Sequence, residues 1–227
     1  MKRASFLFVL LALSATLAFP GHARGQNTEP NPAVAASITF NRDWDEYTPQ
    51  NVTITVSADG HTKYVSHSAA KPPDEADDYH TEFVISAACK DKLFRSASEA
   101  NYFDGDFAFK KHTVASTGKK TLTYTDPSRH FGTTFDYSEN KAIQEASSTF
   151  QGISSTVEFG RKLQFKHRFD KLGLEDELKG MESAAENHDL VELQLIAPVL
   201  ESIVEDSSVL NIARQRAKKL LAKAHSK

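Results

Sequence analysis

Cysteine is nearly missing from this chain: Cys89 is the single thiol among 227 residues. No internal disulfide can form, so packing alone has to hold the fold together. Long hydrophobic runs are missing as well. The most apolar stretch, Phe6 to Phe19, falls short of the roughly 18 or more residues that a spanning helix needs. Signatures of chemistry are equally scarce. The sequence contains no glycine-rich phosphate loop, no His-Glu-x-x-His and no Gly-x-Ser-x-Gly, and its nine histidines are scattered. These absences remove the common hydrolase, zincin and nucleotide-binding patterns.

What is present starts at the N-terminus. Lys2 and Arg3 precede the apolar run, and the small residues Gly21, Ala23 and Gly25 follow it. That order predicts a cleavable signal peptide over residues 1–25, cut after Ala23 or after Gly25. The expected localisation is therefore periplasmic or extracellular. No cysteine lies near the cut, so lipid attachment there is not expected. Removing Lys2, Arg3 and Arg24 leaves 24 basic against 30 acidic side chains, a net charge of −6. An acidic protein does not displace counterions from a phosphate backbone, which argues against nucleic acid as a partner. Residues 26–36, with Pro30 and Pro32, have too little apolar surface to offset ordering entropy and read as a disordered leader.

Folded patterns follow. Val52, Ile54 and Val56 alternate with Thr53, Thr55 and Ser57, the period of a half-buried strand. Asp59-Gly60 then predicts a hairpin into a returning strand over Thr62 to Ser68. A third strand, His80 to Ile85, leads to Ser86 as an N-cap, and the helix beyond aligns Cys89, Leu93, Ala97 and Ala100 on one side. A second hairpin follows, in which Leu122 and Tyr124 share a face, Asp126-Pro127-Ser128 turns, and Phe131, Thr133, Phe135 and Tyr137 return. Ser138 is the expected cap of a helix carrying Ile143, Ala146, Phe150, Ile153 and Val157. Two hairpin-like units, each followed by a helix, predict an α+β module over 37–168 with an antiparallel sheet.

From residue 169 to 227 the strand signals vanish and an antiparallel helical region is expected. One helix spans Leu174 to Asn187 and a second Leu190 to Val204, kinked at Pro198 because proline removes a helical hydrogen bond. The last helix points Leu210, Ala213, Ala217, Leu220 and Ala224 inward.

The stretch from Val52 to about Leu163 resembles an exported bacterial domain of unknown function. The resemblance rests on Ala58-Asp59-Gly60, Phe83-Val84-Ile85-Ser86, Tyr124-Thr125-Asp126-Pro127 and Tyr137-Ser138-Glu139-Asn140-Lys141-Ala142-Ile143. It implies a ββαββα-like fold in the envelope and assigns no catalytic residues that carry over to this chain, which leaves the activity open.

The richest donor cluster is Asp74, Glu75, Asp77, Asp78 and Glu82 around His80. Hard cations take several oxygen ligands, and His80 and Glu82 share a strand face. The glycine punctuation of a calcium loop is missing, so the cluster reads as a solvated acidic loop. No metal site and no cofactor are assigned; His80, Glu82, Asp77 and Asp78 are the side chains a metal would use. Cys89 sits near a helix start, where thiols acidify, but also on the apolar stripe, which favours a packing role. The basic last helix, with Arg214, Arg216, Lys218, Lys219 and Lys223, has the charge of an interfacial helix without an aromatic anchor. The sequence predicts a non-catalytic exported module that binds a protein or envelope partner. The alternatives are a metal-dependent or cysteine hydrolase, and a membrane-surface protein using the last helix.

Overall fold

The computed structural model describes residues 35–68, 77–111 and 115–225. The expected signal segment and most of the leader lie outside the described residues. The chain is α+β, with one antiparallel sheet and a C-terminal helical region. The strands are β1 (Ser37–Asp43), β2 (Asn51–Ser57), β3 (His61–Ser68), β4 (Asp77–Val84), β5 (Lys119–Thr125) and β6 (His130–Phe135). Their order across the sheet is β4-β3-β2-β1-β5-β6. Helix α1 (Ala87–Glu99) follows β4 and α2 (Lys141–Phe169) follows β6. The helical region holds α3 (Leu174–Glu186), α4 (Ala197–Glu205) and α5 (Asn211–His225).

The two expected hairpins are both present, but they do not stand side by side by themselves. Strand β1 lies between them and pairs antiparallel with β2 and with β5. Its inward residues are Ile38, Phe40 and Arg42, and the arginine breaks the apolar alternation that marks a strand in sequence. The same period orients the whole sheet. Val52, Ile54 and Val56 are buried along with Leu122, Tyr124 and Phe135, and Phe40 stacks on Phe150 of α2 at 5.2 Å between ring centroids. The opposite face carries Thr39, Thr53, Thr55, Thr121, Thr123 and Thr134 in adjacent register.

Several boundaries differ from expectation for local reasons. Strand β4 starts at Asp77, earlier than His80, because it pairs with β3 as far as Ser68. Ser86 does cap α1, accepting from the Cys89 amide at 3.2 Å. Ser138 does not cap α2; Asn140 does, accepting from the amides of Ala142 and Ile143 at 3.0 and 3.1 Å. Pro198 does not kink a continuous helix. A 3-10 turn over Leu193–Ile196 ends first, and α4 restarts with the proline in its first turn, where no backbone donor is needed. Leu210 is not inward: it is 47 % exposed, and Val209 is buried instead.

Two apolar clusters make up the interior. One lies between the sheet, α1 and the first half of α2; the other joins Leu163 of α2 to α3, α4 and α5. Leu195 packs against both. The segment before α4 rests directly on α2 at two glycines. A Cβ at Gly152 would meet Val191 Cγ2 at 2.5 Å, and one at Gly160 would overlap the Ile196 side chain.

Candidate functional site

A concavity among the described residues opens where these parts meet, at the start of α1. It is a cleft of about 510 Å³. Ala88, Cys89 and Lys92 come from α1, Thr149 from α2, Val191, Glu192 and Gln194 from the segment before α4, and Ala224 from α5. The cap of α1 explains how the cleft is held. The amide and hydroxyl of Ser86 donate to the two carboxylate oxygens of Glu192 at 2.6 and 2.7 Å. The Gln194 amide donates to the same carboxylate at 2.6 Å. A carboxylate beside the first turn of a helix is favoured by the unpaired N–H groups and by the helix dipole.

Glu192 is 6 % exposed and holds a left-handed backbone with φ of 63°. That conformation is unfavourable for a side-chain-bearing residue, and the surrounding bonds over-determine it. Cys89 is buried within the apolar cluster, as its place on the apolar stripe predicts, and it also borders the cleft. Lys92 Nζ lies 3.5 Å from Glu145, leaving it near the rim.

The acidic cluster is arranged differently from a cation loop. Asp74 and Glu75 lie outside the described residues. Asp77 opens β4, and Asp78, His80 and Glu82 project from it on the face away from the core. Glu82 pairs with His61 at 3.0 Å and Lys63 at 3.5 Å, and Asp78 pairs with His67. The hydrogen bond from His61, followed by the Lys63 charge, holds the Glu82 carboxyl below the usual carboxylate range. His80 stands opposite Val65. Among the described residues, no three His, Cys, Asp or Glu side chains converge as a metal would require.

A buried polar network was not foreseen. Glu158 of α2 accepts from the Tyr64 hydroxyl at 2.7 Å and from Ser66 at 2.8 Å, and pairs with Arg161 at 3.0 Å. Burial, then the Glu158 charge, pushes the Tyr64 hydroxyl well above its ordinary value. Arg42 and Lys120 are paired neighbours on the inner sheet face, and burial lowers the pKa of each. Lys120 Nζ donates to the carbonyls of Thr117, Gly118 and Asp136, while Arg42 donates to the Pro49 carbonyl and lies over the Tyr47 ring. The available signal was polar residues at inward positions of alternating strands: Arg42, Thr62, Ser66 and Lys120.

No protein-family model matches this chain, and no curated protein is similar to it. Its chemistry has to be read from its own geometry.

Proposed function

We propose that this chain is an exported, non-catalytic binding protein whose ligand enters the cleft at the start of α1. The cleft carries the reading, because about 510 Å³ falls within the roughly 300–1,000 Å³ typical of small-ligand sites. Ser86 and Glu192 satisfy one another, which favours holding the walls over performing chemistry. Ala88, Val191 and Ala224 supply apolar wall, while Lys92, Thr149 and Gln194 supply polar groups. Such a lining suits a small envelope molecule with an apolar body and one polar end. Export is supported by the pattern of residues 1–25 and predicts a chain starting at residue 24 or 26.

Ala88 is exposed at the cleft, so Ala88→Phe fills it without disturbing the core. Native mass spectrometry of the protein purified from envelope should show a discrete small adduct that this variant loses. A bare wild-type protein, or an adduct retained by Ala88→Phe, overturns the proposal.

A second reading, a cysteine hydrolase at the same cleft, has the position of Cys89 in its favour. It requires that the wild-type protein return the bound molecule cleaved and that Cys89→Ser return it intact. An intact molecule from both proteins removes that reading and leaves binding standing.

A further inference from the structure

The last turns of α2 expose a different surface. Phe165 and Phe169 are 62 % and 63 % exposed, and Leu172 in the following turn is 76 % exposed. The two rings touch, with centroids 5.1 Å apart. Side chains four apart share a helix face, so the rings form one ridge. On the far side of the same helix Leu163 is fully buried, which fixes the ridge outward. Large exposed apolar groups gathered in one place mark an interaction surface.

Charge says which kind. Residues 161–172 contain Arg161, Lys162, Lys166, Arg168 and Lys171 against Asp170 alone. Arg161, Lys166 and Lys171 have carboxylate partners, in Glu158, Asp170 and Asp206. Lys162 and Arg168 have no described carboxylate at ion-pair distance; they lie over the rings of Phe159 and Phe169. Spacings of three residues on either side of Phe165 put these two cations on opposite flanks of the ridge. The acidic first turn of α3 suits its own helix start, and Glu175 there is taken by Arg216.

We propose that the end of α2 is a membrane-docking tip. Phe165, Phe169 and Leu172 enter the apolar edge of a bilayer, and Lys162 and Arg168 meet its anionic headgroups. Aromatic side chains between basic flanks are the composition of an interfacial anchor. A bilayer fits better than an acidic peptide because the rings form an exposed ridge, and the cleft at the start of α1 does not include them. Two of the basic residues of α5 are differently employed: Arg216 and Lys219 pair with acids of α3. The tip therefore goes beyond the cleft-binding reading and stands or falls separately from it.

The test is flotation of the full chain, as it accumulates after expression, with vesicles of phosphatidylglycerol and phosphatidylcholine against phosphatidylcholine alone. Binding should require the anionic lipid. It should weaken roughly tenfold or more in Phe165→Ser/Phe169→Ser and roughly fivefold for each charge removed by Lys162→Gln or Arg168→Gln. A local readout covers any variant that folds poorly. Phe169→Trp in a Trp44→Phe background should be quenched by lipids brominated on their acyl chains. Absent binding to anionic vesicles, binding undiminished by the serine pair, or an unquenched Trp at 169 overturns the proposal. So does wild-type self-association that the serine pair abolishes, because the ridge would then join two copies.

Discussion

Glu158 shows what a single residue can decide in this molecule. It lies between α2 and the inner face of β3, and its carboxylate collects Tyr64, Ser66 and Arg161. Removing it takes the carboxylate acceptor away from the buried hydroxyls of Tyr64 and Ser66 and from the half-buried Arg161, and a buried polar network broken from one side costs more than one deleted whole. Glu158→Ala is expected to lower stability by about 2–4 kcal/mol, read as a lower urea midpoint with an unchanged slope. A loss below 1 kcal/mol would mean that water reaches these groups. Glu192 differs in kind, because its carboxylate answers the orphan donors at the start of α1. Ser86 could be read as a cap from sequence because cap chemistry is local. Glu192 could not, since it arrives from 106 residues away.

At the level of elements, glycine placement matters more than helix propensity. Gly160 lies inside the 29-residue α2, where alanine would ordinarily be favoured by about 1 kcal/mol. Here the added methyl would collide with Ile196, so Gly160→Ala should destabilise by roughly 1–3 kcal/mol. Ile196→Ala in the same chain should recover part of that loss in a double-mutant cycle by thermal melting. Additive losses would mean that the segment before α4 does not press on α2 there. The elements themselves divide by how local their signal is. Hairpin turns and apolar stripes announced β2, β3, β5, β6, α1 and the body of α2. Strand β1 escaped because only Ile38 and Phe40 mark its inner face and a buried Arg42 completes it. The cap of α2 fell two residues past the expected serine, and Pro198 opens a helix that it was expected to bend.

For the whole molecule, the decisive feature is that α2 passes from one apolar cluster into the other. With Leu195 packed on both and Glu192 bonded to Ser86, the sheet and the C-terminal helices should unfold together. Ile54→Ala in the first cluster and Leu200→Ala in the second are each fully buried changes, expected to cost about 2–5 kcal/mol. Both should move one and the same calorimetric transition; two transitions, each sensitive to one variant, would show independent cores. The amino-acid sequence by itself determined the α+β class, the two hairpins, most helix faces and the reliance on packing without disulfides. Those follow from periodicity, turn chemistry and composition, which act between near neighbours. Tertiary structure alone decided that β1 joins the hairpins into one sheet. It also decided that the helical region docks through glycines of α2, and that a cleft opens where α1 meets Glu192. Each of those depends on groups far apart in the chain coming within contact distance, and spacing along a sequence does not encode distance across a fold.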